Sequence, residues 1–128
     1  MKKIVGVEFK DSKIIFKIEN KFLFSKKEYE ENIDISKICQ IEKILESASH
    51  DEFTCIVFHQ NVTEIDGINI DTLDNETLDD EVVKEIINEK SILYEIPAYR
   101  YTGEIPKLFD ELIKNLDMSK IEVVETII

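Results

Sequence analysis

The sequence predicts an α/β protein in which helices pack on a single layer of mixed strands. Two observations predict this class. Near the N terminus apolar residues alternate with polar ones, which is the period of half-exposed strands. Later in the chain, apolar stripes with the period of a helix alternate with short apolar runs. Because the chain has 128 residues and 43% of them are hydrophobic, residues 1–128 are expected to form one globular domain.

The first third of the chain predicts a three-stranded antiparallel meander. Turn signals at Asp11-Ser12 and Asn20-Lys21 separate three apolar segments, at residues 5–9, 14–18 and 22–24. Ser25 and Glu28 have the spacing of a capping box, which predicts a short helical turn over residues 25–32.

The remaining segments predict alternating helices and strands. A helix is expected from Asp34 or Ser36 to residue 48, followed by a buried central strand at 53–58. Asp66-Gly67 predicts a hairpin. The last expected elements are a helix from Thr77 or Asp79 through Lys90, a strand at 91–96, a helix starting at Pro106, and a strand at 120–128 with Ile121, Val123 and Ile127 pointing inward.

This order of elements resembles the ribonuclease H-like fold, which also has three antiparallel strands, a helix, and then alternating strands and helices. The resemblance concerns topology alone, and no motif accompanies it. It implies a divalent-metal-dependent phosphodiesterase, or a catalytically inactive relative. The acids available for such a site are Glu8, Glu42 or Glu46, and Asp66 or Asp110. Against it, the expected central strand ends in His59-Gln60-Asn61, which contains no acid.

The acidic residues are concentrated in the middle of the sequence. Residues 64–89 contain ten acids and one lysine, which is a net charge of −9 in a chain of −12. Such a block attracts basic partners and repels nucleic-acid phosphate, so direct nucleic-acid binding is not expected. No cofactor or metal is expected either, because there is no glycine-rich phosphate loop and the oxygen-rich segment 66–76 fails the spacing of a calcium loop.

These observations favour a non-enzymatic binding protein of the inhibitor or immunity type, which would cover a basic surface of a partner such as a nuclease. The acids would steer the encounter, and aromatic and arginine side chains would anchor the complex. The alternatives are the phosphodiesterase named above and a subunit of a larger assembly. The residues expected to bind the partner are Asp71, Asp74, Glu76, Asp79, Asp80, Glu81, Glu85, Tyr99, Arg100 and Tyr101.

The sequence also predicts a cytoplasmic protein with no membrane association. No stretch approaches the roughly 18 apolar residues of a membrane helix, and charges interrupt the first apolar run too early for a signal peptide. Cys39 and Cys55 are isolated from one another and are expected to be reduced and buried, with a disulfide between them as the alternative.

Overall fold

The structure is a computed structural model that describes residues 1–46, 53–65, 68–69 and 80–128. Within these ranges the chain forms strands and two α-helices, with short 3-10 turns at Ile35–Lys37 and Ala98–Arg100. The helices are α1 (Asp80–Ser91) and α2 (Ile105–Asn115). The strands are β1 (Lys2–Lys10), β2 (Lys13–Lys21), β3 (Lys26–Asp34), β4 (Gln40–Leu45), β5 (Phe53–His59), β6 (Glu64–Ile65), β7 (Ile68–Asn69), β8 (Ile92–Pro97) and β9 (Glu122–Ile127).

The predicted antiparallel meander is confirmed, and it forms a sheet in the order β1-β2-β3. The turn between the first two strands lies where it was predicted. Asp11 and Ser12 both have positive φ angles, 53° and 61°, which are the left-handed values that a tight hairpin turn requires at both central positions. The inner face of β2 carries Ile14, Phe16 and Ile18, all of which are buried.

The third strand of the meander was predicted in the wrong place. Residues 22–25 form the turn, and β3 occupies the segment that was expected to be a helical turn. The physical reason is that an inward-facing position of β3 is occupied by Glu31, which interrupts the apolar alternation. Its carboxylate accepts a hydrogen bond from the Tyr94 hydroxyl at 3.0 Å and pairs with Lys2 at 2.7 Å.

The second sheet has the order β8-β5-β4-β9, and here the predicted helix from Asp34 or Ser36 is wrong. Where the structure describes that segment, its main element is β4, which lies antiparallel to β5 and parallel to β9. The polar residues of β4 were expected to face solvent on a helix. Instead, Glu42 is hydrogen-bonded on one face of the sheet, and the ammonium of Lys43 lies 4.5 Å from the centre of the Phe109 ring on the other.

Other elements agree more closely with the prediction. Strand β5 is central and buries Ile56, Val57 and Phe58, and α2 has Pro106 in its first turn. Helix α1 ends one residue beyond the predicted Lys90, while its predicted caps, Thr77 and Asp79, lie outside the described residues. Strands β6 and β7 pair in the antiparallel manner expected of the hairpin, whose turn residues 66 and 67 lie outside the described ranges.

The burial of β9 agrees only in part with the prediction, and Ile121 is buried as expected. Val123 and Ile127 are exposed, whereas Val124 and Thr126 are half-buried. The parallel register pairs Val123 with the fully buried Ile41, so Val123 and Ile127 lie on the expected face of the sheet. They are exposed because β9 is an edge strand of this sheet.

The two sheets form separate layers, so the expected single layer is wrong. Phe16 of the first sheet packs against Phe58 and Tyr94 of the second. Helix α2 packs against β5 through a buried stripe made of Ile105, Leu108, Phe109 and Leu112. The architecture is mixed α+β, and the ribonuclease H-like topology is not confirmed. Neither of the two described helices is long and apolar enough to cross a membrane.

The β1–β2 turn gives a stability prediction. We expect Ser12→Gly to raise the free energy of unfolding by about 0.5 kcal/mol, because glycine has no Cβ to strain a left-handed residue and this gain exceeds its entropic cost. Urea denaturation measures the change. The control is Ser25→Gly in the β2–β3 turn, where φ is not positive and no gain is expected. A loss of stability in Ser12→Gly would contradict the turn geometry.

Candidate functional site

Helix α1 presents a row of acidic side chains to solvent. Glu81, Glu85 and Glu89 are spaced four residues apart, so they share one side of the helix, and all three are exposed. We call these three residues the acidic stripe. Ile86 and Ile87 of the same helix are half-buried. Of the other acids expected to bind a partner, Asp80 is the first residue of α1, and four lie outside the described residues: Asp71, Asp74, Glu76 and Asp79.

The expected anchor residues follow β8. Tyr99 is 63% exposed, and the Arg100 guanidinium lies 5.7 Å from the centre of its ring. Tyr101 is half-buried, and its ring lies so close to Gly103 that a Cβ there would be 2.8 Å from a ring carbon. Burial, with a smaller contribution from nearby Glu111, raises the pKa of the Tyr101 hydroxyl. Tyr99 and Arg100 are therefore accessible to a partner, whereas the Tyr101 ring mainly packs against the protein itself.

The acidic stripe and Tyr99 lie toward opposite ends of β8. Helix α1 ends at Ser91, immediately before β8 begins, and Tyr99 follows where β8 ends. Because a strand of six residues is about 17–20 Å long, the structure brings the expected acids and anchors onto one molecule but not into one compact site.

The turn between β2 and β3 carries an apolar surface that the sequence pattern does not predict. Phe22, Leu23 and Phe24 are 54%, 87% and 94% exposed, and we call them the apolar tip. The turn is closed by a hydrogen bond of 2.7 Å from the Phe22 amide to the Ser25 carbonyl. The sequence predicts a strand for these three residues, whereas the structure places them in a turn. The available signal was their position between Lys21 and Lys26, which leaves no room for a strand and two turns.

A buried histidine joins several elements of the second sheet. His59, only 6% exposed, contacts the Glu42 carboxylate through Nε2 and the Ser91 hydroxyl through Nδ1, both at 2.8 Å. The Thr126 hydroxyl donates to the other oxygen of Glu42. We call Glu42, His59, Ser91 and Thr126 the histidine network. It links β4, β5 and β9 to the end of α1, so it holds the helix in place.

The histidine network has the order serine, histidine, carboxylate, which is also the order of a hydrolytic triad. The Ser91 hydroxyl, however, lies 2.7 Å from the Asn88 carbonyl and donates its proton there, so it is satisfied within the helix end. A cavity of about 440 Å³ lies beside His59 and is lined by Lys84, Gln60 and Ser91, among others. The contacts are those of a structural network.

The electrostatics of Glu42 follow from these contacts. Partial burial raises the pKa of its carboxyl, but the hydrogen bonds from Thr126 and His59, together with electrostatic attraction to His59, outweigh burial, so the pKa lies below its ordinary value. Glu42 is therefore ionised at neutral pH, and its charge is held by two donors.

The acids predicted for a metal site do not converge within the described part of the chain, and one of them, Asp66, lies outside it. Glu8 lies on β1, beside a cavity of about 860 Å³ between that strand and α2, and its carboxylate is 3.7 Å from the Lys17 ammonium. Glu42 lies in the other sheet. Among the residues that the structure describes, no group of three histidine, cysteine, aspartate or glutamate side chains could hold a metal ion.

Comparisons with known proteins provide no family assignment. No family model, no curated protein and no solved structure matches this chain. Its function is therefore inferred from its own surfaces.

Both cysteines are free thiols and are half-buried, rather than fully buried as expected. Burial, together with the negative charges of Glu95 and Glu42, raises the pKa of the Cys55 thiol to about 11. We expect iodoacetamide at pH 8 to modify Cys55 slowly in the folded protein and rapidly in urea. Mass spectrometry of a Cys39→Ser variant isolates this thiol. Equal rates in both conditions would contradict the assigned environment.

The histidine network gives a pH prediction. Because the folded pKa of Glu42 is depressed, its stabilisation is present above the ordinary value of 4.5 and is lost as the pH falls through the folded pKa. Thr126→Val removes one donor, so we expect it to lower the free energy of unfolding by about 1 kcal/mol at neutral pH, and by less in acid. Urea denaturation between pH 7 and pH 3 measures both values.

The matched control is Thr102→Val, which removes a hydroxyl that donates to the Ile4 carbonyl and not to a carboxylate. Its cost should stay constant over the same pH range. If the cost of Thr126→Val were equally constant, the proposed ionisation of Glu42 would be wrong.

Proposed function

We propose that this chain is a non-enzymatic binding protein that presents carboxylates to a basic protein partner. It would act as an inhibitor or immunity-type protein by covering a basic surface, such as the phosphate-binding groove of a nuclease. The observation that carries this proposal is the acidic stripe, three exposed glutamates in one row on α1.

The arrangement of the acidic stripe supports a role outside the molecule. Like charges four residues apart on a helix repel each other by a few tenths of a kcal/mol per pair, so this spacing of the three glutamates costs α1 some stability. The helix is nevertheless held in place, by the hydrogen bond between Ser91 and His59 and by half-buried Ile86 and Ile87. A positioned helix with exposed acids suits recognition of an external cation-rich surface.

The distance between the acids and Tyr99 is compatible with one partner. A standard protein interface covers about 800 Å² on each side, which corresponds to a patch roughly 30 Å across. Strand β8, which separates the two groups, fits within that span. In this arrangement the acidic stripe attracts the partner, and Tyr99 and Arg100 contribute apolar and planar contacts that hold it.

The test uses the partner recovered from the native host and then produced in pure form. We expect neutralisation of the acidic stripe, by Glu81→Gln, Glu85→Gln and Glu89→Gln together, to lower the association rate about tenfold at low salt. The rate of the unchanged protein should itself fall between low and physiological salt, because screening shortens the reach of the charges. Stopped-flow fluorescence measures both rates.

The control neutralises three exposed acids elsewhere, with the same change in net charge: Glu30→Gln, Asp110→Asn and Glu111→Gln. It should change the association rate less than about twofold. If the association rate changed neither with salt nor on neutralisation of the acidic stripe, electrostatic steering would be excluded. A partner that never dissociates would instead indicate a subunit of a larger assembly.

A further inference from the structure

The apolar tip is the most exposed continuous apolar segment in the described part of the chain. Exposed apolar side chains are ordinary when they are scattered, but a contiguous group marks a binding surface. Phe22, Leu23 and Phe24 are adjacent in sequence and all are at least half exposed. Their turn is closed by its own backbone hydrogen bond, so the residues are displayed on a defined hairpin.

The apolar tip projects beyond the core. Ile18 is the last buried residue of β2, and Tyr29 is the first residue of β3 that is not exposed. The three residues of β2 beyond Ile18 add about 10 Å at the usual strand rise. The tip is therefore a convex finger.

Positive charge surrounds the base of this finger. Residues 1–3 and 19–28 carry five lysines and two glutamates, in a chain whose net charge is −12. The lysines are Lys2, Lys3, Lys21, Lys26 and Lys27. Glu19 and Glu28 pair with Lys21 and Lys26 at 3.0–3.8 Å, and Lys2 pairs with Glu31 at 2.7 Å. The ammonium-bearing side chains of Lys21 and Lys26 are exposed, so solvent weakens their ion pairs. Lys3 also donates to the Tyr99 carbonyl, which places Tyr99 and Arg100 at this end of the molecule.

We propose that the apolar tip inserts into the surface of an anionic lipid bilayer, with the surrounding lysines contacting the lipid phosphates. Apolar burial and attraction to anionic lipid are the two contributions that hold a protein at a membrane surface. A lipid surface is favoured over a protein groove for two reasons. The tip is convex, and its three side chains carry no hydrogen-bonding group that could select a particular protein.

This attachment is peripheral and needs no membrane-spanning helix. The sequence-based expectation of no membrane association rests on the missing span, and a hairpin tip needs no such span to contact lipid. The acidic stripe does not oppose the contact, because the length of β8 separates the end of α1 from Tyr99. That distance exceeds the screening length of about 8 Å at physiological salt. The inference rests on the apolar tip and its neighbouring lysines, and not on the acidic stripe that carries the proposed function.

Vesicle sedimentation tests the inference with the whole chain. The probes are vesicles of phosphatidylcholine alone and vesicles with about one third phosphatidylglycerol. The chain should bind the anionic vesicles and bind the neutral ones at least about tenfold more weakly. Replacing the tip by Phe22→Ser, Leu23→Ser and Phe24→Ser should reduce binding to anionic vesicles at least about tenfold.

Two controls separate the tip and the lysines from general effects. Val82→Ser, Ile113→Ser and Ile127→Ser together remove three exposed apolar residues elsewhere and should leave vesicle binding unchanged. Lys21→Gln, Lys26→Gln and Lys27→Gln should remove the preference for anionic lipid, whereas Lys13→Gln, Lys114→Gln and Lys120→Gln should preserve it.

Three outcomes would overturn the inference: no binding to anionic vesicles, equal binding by the tip variant, or equal binding to both kinds of vesicle. Analytical ultracentrifugation identifies the competing occupant. If the unchanged chain is a dimer without vesicle binding and the tip variant is a monomer, then the tip binds a second copy and the lipid assignment is wrong.

Discussion

The packing of Phe16 between the two sheets is the contact on which the rest of the structure depends. Its ring stacks on the Tyr94 ring, with ring centres 4.2 Å apart and an interplanar angle of 7°, and its centre lies 6.2 Å from that of Phe58. One side chain of β2 therefore contacts both β5 and β8. Loss of such a buried ring typically costs about 3–5 kcal/mol. The Tyr94 hydroxyl reaches Glu31 of β3, and burial together with this carboxylate raises the pKa of Tyr94. Because this contact fixes one sheet against the other, it also decides which residues remain exposed.

The parts of the fold that the sequence predicted correctly are those with local causes. The first hairpin turn could be predicted because Asp11 and Ser12 are themselves turn-forming residues. The position of α2 could be predicted because Pro106 favours a helix start and the apolar residues after it have helical spacing. Strand β5 could be recognised because it is apolar on both faces. In each case a few neighbouring residues contain the whole signal, so no knowledge of distant contacts was needed.

The parts that were wrong depend on distant partners. Glu42 can lie in a central strand because His59 and Thr126 bond to it, and both are remote in sequence. Glu31 can face inward on β3 because Tyr94 donates to it. In the sequence, a polar residue that is hydrogen-bonded to a distant partner cannot be distinguished from a solvent-exposed one. The pattern of its strand is therefore read as that of a helix or a loop. The two candidate surfaces differ in the same way. The acidic stripe could be predicted because it depends only on the spacing of acids along one helix. The exposure of the apolar tip could not, because it depends on where the strands pair.

The misassigned residues Phe22–24 also connect the two proposals. Apolar residues in a strand should be buried, whereas Phe22, Leu23 and Phe24 leave most of their side-chain surface exposed at a turn. Lys3 and Tyr99 tie this end of the first sheet to one end of β8, and α1 lies at the other end. If the apolar tip lies in a lipid surface, the acidic stripe is held away from that surface and faces the surrounding solution. The chain would then bind a basic partner next to a membrane, through the acidic stripe at one end and the apolar tip with its lysines at the other. Because the two ends are apart, the carboxylates of the stripe and the lipid phosphates do not compete for the same basic side chains.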